Sequence, residues 1–428
     1  VVVFLTSNVP RWTPRTEANI RQAIADGILE ESHWWDAKRE VSLGKSANRR
    51  LAADMAAFAI DGGSLLVGLA EDKESGTFSL APGPTAGMAE RIANVAATAV
   101  DPPLYVIVTP IPAETPADDG SPRGYLLIEV PPSASAPHQV DHVYWGRGDK
   151  QNVRLTDADV HRQHVLRESL TGRGRALLAA EVARDPFPID ERAGGHIYLV
   201  ADPLTAAPDA ATRFLRDQDA RDWVWRVSAR EDVVELPRQH SDIPPLPQYM
   251  THVEWRADGM ANTSTVLAST GRQRKAEAAD AGDGADDNLL DVEFLHNGGI
   301  RGIVGRATRR HKHSGEAFIL DQLIVAYTRR LLQWTTKYAD AIGYRGSWVL
   351  GVHIDGLAGL SSALFANQLD YSTPPRFSAP AYESVTTATL QELVGQPWAV
   401  TERLIGNLVW SLGTESQHRA VLEAPAGR

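Results

Sequence analysis

The chain has 428 residues, of which 43% are hydrophobic and 23% charged, and its formal net charge is −11. That balance excludes wholesale disorder, and no apolar run approaches the roughly 20 residues a membrane helix needs. The lack of cysteine excludes disulfides, thiolate metal sites and a cysteine nucleophile. The opening VVVFL is too short for a signal-peptide core, so a cytoplasmic protein without membrane contact is expected. An acidic chain lacks the bulk signature of a nucleic-acid binder, but a local basic face can still serve that purpose.

In chain order, Ile20, Ile24 and Ile28 recur every four residues and predict an amphipathic helix over 15–30. Trp34–Lys38 reads as extended. Leu51, Met55 and Phe58 predict a second helix over 46–60, with Ser46 as its cap. Asp61-Gly62-Gly63 is a turn signal, and SLLVGLA at 64–70 is an apolar strand. A helix near 87–99 precedes strands at Tyr105–Pro110 and Gly124–Val130, joined by a Pro-rich hairpin loop. An extended piece at His142–Trp145 leads through GRGDKQ to a helix start at Thr156-Asp157. These elements predict an α+β domain over 1–168, a helical connector over 169–195 and a second α+β domain over 196–428. In the second domain, strands are expected at 196–200 and 348–354 and a hairpin around Asp258-Gly259. Helices are expected at 210–229, 316–341 and 387–412, the last kinked or broken at Pro397. Residues 271–288 are small and charged without periodicity and read as a flexible excursion. MTHVEWRAD (250–258) and FLHNGGIRGIVG (294–305) faintly echo the Asp36 and Gly62-Gly63 segments, either as a degenerate second copy or by coincidence.

The densest chemical signal is Glu31 followed by Asp36-Ala-Lys38. Side chains on a strand repeat every two residues, which puts Asp36 and Lys38 on one face. Carboxylates suit a hard divalent cation, and a nearby lysine can stabilise charge building on phosphorus. Glu71 and Asp72, just past the strand at 64–70, are the candidates for a third carboxylate. The structural alternative is a surface ion pair between tryptophans.

The order E-x4-D-x-K, AAFAIDGG, SLLVGL followed by AED, VPPSASAPHQV and VYWGRGDKQ resembles the Schlafen AlbA-like domain over about residues 15–165. The resemblance implies a nuclease site at Glu31, Asp36 and Glu71, with Lys38 beside it and Mg²⁺ or Mn²⁺ as cofactor. It implies an RNA endonuclease acting on structured, tRNA-like RNA, and a stress or phage-defence role in a bacterium. The second and third acids are Asp and Glu where the family has Glu and Asp, Ala37 replaces a Phe, and Ile60 replaces an Asn. A non-catalytic nucleic-acid-binding or regulatory protein and a nucleotide-binding switch are the alternatives. No G-x-x-x-x-G-K-[ST] occurs, which counts against a P-loop.

Arg301, Arg306, Arg309, Arg310, His311, Lys312 and His313 form a basic cluster, and Arg49, Arg50, Arg147 and Lys150 add cations in the first domain. All except Arg301 and the two histidines are expected to contact RNA phosphates. The alternative for the cluster is a solvated surface. Trp34, Trp35 and Trp145 either stack on bases or pack a core. His138 and His142 lie in a proline-bearing segment unsuited to a helical zinc pair. One AlbA-like lobe offers a shallow face to an RNA stem, so a homodimer or higher homo-oligomer is expected, unless residues 170–428 supply the second wall.

Overall fold

The computed structural model describes residues 2–6, 9–72, 76–115, 121–229, 250–264, 267, 272–274, 285–310, 315–365 and 373–423. The chain divides into two units. The first runs to Ser169 and includes 345–347; the second holds 170–344 and 348 onward. Both mix helices and sheets, so the fold is α+β. Among the described residues, no helix is long and apolar enough to cross a membrane.

In the first unit, strand Trp35–Lys38 pairs in parallel with Gly63–Val67, setting Asp36 beside Leu65. Gly63–Val67 runs antiparallel to Arg123–Val130, which also pairs with Ile107–Pro112 and the short Gly83–Pro84. The parallel pair needs a crossover, and helix Lys45–Phe58 supplies it. Both sheet faces are covered. Leu51, Met55 and Phe58 join Ile92 and Val95 of helix Met88–Ala99 over Leu65, Leu126 and Ile128. Ile20 of helix Glu17–Ala25 packs with Leu66, Leu127 and Tyr125 on the other side. Burial on both faces explains why SLLV reads as a continuous apolar run.

Local details differ from the expectations for physical reasons. Helix Lys45–Phe58 is preceded by Gly44 at φ 105°, and Ser46 lies inside the helix without capping it. The apolar run at 64–70 is two strands, because Gly68 at φ 108° turns the chain between Val67 and Leu69. Gly62 takes φ 79°, and a Cβ on Gly63 would sit 1.9 Å from the Phe58 ring. The paired glycines therefore serve the turn and the close helix–strand approach. Helix Asp157–Ala183 is one continuous element of 27 residues, not a helix start followed by a separate connector.

The second unit is built on a seven-stranded sheet. Its order is Met250–Trp255, Gly259–Ser264, Leu290–Leu295, Ile300–Val304, Ile197–Pro203, Ser347–Asp355 and Ala381–Thr389. Ile197, Leu199 and Leu350 face helices Asp321–Ile342 and Pro397–Ser411, through Ile324, Leu331, Trp334, Leu404 and Leu408. Pro397 occupies the first turn of its helix, where its missing N–H costs nothing, and the residues before 390 form an edge strand. The segments echoing the first unit lie in antiparallel pairs here, whereas the Asp36 strand is parallel to its neighbour. They do not reproduce its pairing. Most of 271–288 lies outside the described residues. Arg272 within it is buried against Glu181 and Asp291, and residues 285–288 form a 3-10 turn.

Candidate functional site

A tight turn brings the first two carboxylates together. The Ser32 N–H donates to the Trp35 carbonyl and the Trp35 N–H to the Ser32 carbonyl, at 2.9 and 3.4 Å. This closure folds Glu31 back beside Asp36, so five residues of sequence become adjacency in space. The Glu31 carboxyl is hydrogen-bonded to Asp36 and accepts from the Ala37 N–H. Burial first, then the bond to Asp36 and the charges of Asp36 and Glu71, push it up to about 7 against the pull of Ala37.

The strand face beyond Asp36 carries cations. Lys38 Nζ lies 3.0 Å from Asp54 Oδ2 and 3.8 Å from Asp36 Oδ2. Burial opposes the charge on Lys38, but Asp54 and Asp36 outweigh it and hold the ammonium above its usual range. Burial also lifts the Asp54 carboxyl, and here Lys38 and Asn152 offset it only in part. Arg147, 3% exposed at its side chain, reaches Asp36 Oδ2 at 3.3 Å. It also donates to the Ser32 carbonyl and, at 3.1 Å, to Asn152 Oδ1. Asn152 Nδ2 in turn donates to Asp54 Oδ1 at 2.6 Å. The Arg147 guanidinium sits 4.7 Å from the Phe58 ring centroid. The result is a closed ring of Asp36, Lys38, Asp54, Asn152 and Arg147, in which the neutral Asn152 amide bridges Asp54 and Arg147.

Residues 31–156 match the family model described as Schlafen, AlbA_2. This part of the chain is a Schlafen AlbA_2 domain. No curated protein matches the chain significantly. Among solved structures, the DIP2311 protein from Corynebacterium diphtheriae aligns at 16% identity with a TM-score of 0.22. The alignment covers 33% of this chain and 30% of that one, so the chain spans about a third of that protein.

Of the expected trio, Glu31 and Asp36 are in contact, and Glu71 is not grouped with them closely enough to make a three-acid metal site. Glu71 is exposed on strand Leu69–Asp72 and acts on Glu31 through its charge. Among the described residues, no three His, Cys, Asp or Glu side chains are grouped closely enough to hold a metal ion. Two carboxylates pressed together still fit a hard cation such as Mg²⁺, which keeps several waters and takes one or two protein carboxylates. Glu31 and Asp36 would be its ligands, and it would supply Lewis-acid polarisation of a phosphoryl oxygen.

The expected phosphate-contacting cations divide. Arg147 is buried on Asp36, so its guanidinium is turned inward and not exposed to solvent. Arg306 is also buried, 5% exposed, and donates to Asn288 Oδ1. Arg301 is paired with Glu293 and Asp258. Arg49 and Lys150 are exposed but paired, with Asp141 and Glu30. Arg50 is exposed, as is Arg310, which donates to the Gly315 carbonyl; Arg309 is half-buried. Lys312 lies outside the described residues. Trp35 packs edge-on against Trp12 and Phe78, and Trp145 packs on the domain core. His138 is buried between the Pro102 carbonyl and Ser133 Oγ, which accounts for both ring nitrogens.

Asp54, Asn152 and the inward role of Arg147 escaped the sequence reading. Asp54 had a signal: it lies three residues after Leu51 and four before Phe58, an acid on the apolar face of its helix.

The raised Glu31 carboxyl makes stability depend on pH. Between its ordinary 4.5 and about 7 the folded chain holds a proton that the unfolded chain has released. Stability from this group is therefore full below the lower value and is lost as pH rises through the upper one. Glu31→Gln should melt higher than the wild type at about pH 8 and converge with it near about pH 4. Parallel melting curves across that range would show that Glu31 is an ordinary surface acid.

Proposed function

We propose that the AlbA_2 domain is the catalytic part of a metal-dependent endoribonuclease acting on structured RNA such as tRNA. The observation that carries the reading is the Glu31–Asp36 contact with Lys38 on the same strand face. Two acids forced together leave one reluctant to ionise, and a divalent cation relieves that repulsion. Lys38 stays charged beside them, where a phosphoryl group gaining negative charge would need a cation. The family match supports a nucleic-acid-related function in general, and the arrangement of acids and lysine supports the more specific one.

A second reading, a non-catalytic nucleic-acid binder, is favoured by the Arg147–Asp36 contact, which occupies one carboxylate oxygen. Incubation with total tRNA, with Mg²⁺ or Mn²⁺ and then with EDTA, separates the two. Cleavage that stops with EDTA supports the nuclease, and intact tRNA that still binds the protein supports the binder.

On the second unit, Arg309 and Arg310 are the cations we assign to RNA phosphates. Replacing both with alanine should weaken binding to unrelated RNAs alike and lower the salt slope by about one to two units. An unchanged slope in a filter-binding titration would reduce this strand to a solvated surface.

A further inference from the structure

The second unit buries two arginines that lack a matching set of acids. Tyr327 and Arg330 lie three residues apart on helix Asp321–Ile342 and are 2% and 5% exposed. Arg330 Nη1 donates to the Ser228 carbonyl at 3.2 Å, and its Cζ sits 5.7 Å from the Tyr327 ring centroid. Arg330 Nη2 is buried without a partner. Arg306, from the chain after strand Ile300–Val304, gives Nη2 to Asn288 Oδ1 at 3.0 Å. Its Nε and Nη1 are buried without a hydrogen-bond partner, as is the Tyr327 hydroxyl. The Leu320 N–H donates to the Ala307 carbonyl at 2.8 Å, which ties the chain at Arg306 to the start of the helix that carries Tyr327 and Arg330, and both guanidiniums act electrostatically on the Tyr327 hydroxyl.

The charge is unbalanced. Among the described residues, no carboxylate pairs with Arg330. Asp287 stands 3.9 Å from Arg306 Nε, an ion pair without a hydrogen bond, and so leaves the Arg306 donors unused. A buried, unpaired guanidinium is costly, and leaving a charged donor unsatisfied costs more than any single bond returns. Water can fill donors but supplies no counter-charge. The unused groups are all donors: three guanidinium nitrogens and one hydroxyl. They call for an acceptor with several oxygens and a negative charge. Two forks and a hydroxyl, offered by one helix and one loop, suit a tetrahedral phosphoryl group better than a planar carboxylate.

We propose that Arg306, Tyr327 and Arg330 form a binding site for the phosphate group of a small anion, either free phosphate or a nucleoside monophosphate. The site is independent of the carboxylates of the AlbA_2 domain and of the reaction proposed for them.

Calorimetry on the full chain, with inorganic phosphate, AMP and acetate as separate titrants, tests the assignment. The expected result is saturable binding of phosphate or AMP, with acetate at least about tenfold weaker. Tyr327→Phe removes one oxygen only and should weaken binding about fivefold to thirtyfold. Arg330→Met should abolish it and the melting-temperature rise that phosphate gives the wild type. AMP binding at least about tenfold tighter than phosphate identifies an ester as the ligand, and equal binding identifies the free anion. If Arg330→Met fails to fold, the Tyr327→Phe titration decides. The proposal is overturned if no titrant gives saturable heat, if acetate binds as tightly as phosphate, or if Tyr327→Phe binds like the wild type.

Discussion

Asp36→Asn should lower tRNA cleavage by about two to three orders of magnitude while leaving RNA affinity within about threefold. The substitution keeps the shape and an acceptor oxygen but removes the charge that pairs with Lys38 and that a divalent cation would need. Lys38 remains held by Asp54 at 3.0 Å, so the electrostatic face offered to the phosphate backbone is largely kept. The variant also leaves Arg147 without its carboxylate. Arg147 retains the Ser32 carbonyl and Asn152 Oδ1, so the stability cost should be modest, about 1–3 kcal/mol. A thermal melt run beside the cleavage assay distinguishes lost chemistry from lost fold. Equal cleavage by a folded variant and the wild type would remove the nuclease from this site.

The largest stability effect should come from the second unit. Asp291 is fully buried on strand Leu290–Leu295 and receives both ends of Arg256, at 2.7 and 2.9 Å, together with Arg272 Nε. Glu293 and Glu254 add acid to the same group through Arg256, and Glu181 does so through Arg272. Asp291→Asn removes the charge on which two buried guanidiniums converge and should cost about 3–5 kcal/mol. That is a large fraction of an ordinary domain's stability and would appear as a lower urea midpoint for this unit. Burial alone would raise the Asp291 carboxyl, but Arg272 and Arg256 outweigh it and hold it well below its ordinary 3.8. The stabilisation is thus complete above that value and is lost as pH falls below it. The wild type should lose stability on acidification more steeply than the variant. Matching midpoints at neutral pH would mean that the arginines find other partners.

Much of the AlbA_2 domain was legible because its signals are local. A strand repeats its side chains every two residues, so Asp36 and Lys38 had to share a face, and they do. The apolar face of helix Lys45–Phe58 and the glycines before Gly63–Val67 followed from periodicity and from the φ a turn requires. The five-residue spacing between Glu31 and Asp36 marked a pair, but the Ser32–Trp35 closure was needed to put the carboxyls in contact.

The partners of the charges were decided only by the tertiary structure. Arg147 lies 111 residues from Asp36, and Asn152 lies 98 residues from Asp54. Nothing in a linear pattern distinguishes an arginine that turns inward from one that meets solvent. The same holds for Arg306, read as part of a basic surface and found buried. In LDVEFL the alternation correctly separates Leu290, Val292 and Phe294 from Asp291 and Glu293, but both sets are buried. Alternation reports which residues share a face. Whether that face meets water or a second layer of charge depends on what packs over it, and here Arg256 and Arg272 cover it from distant segments.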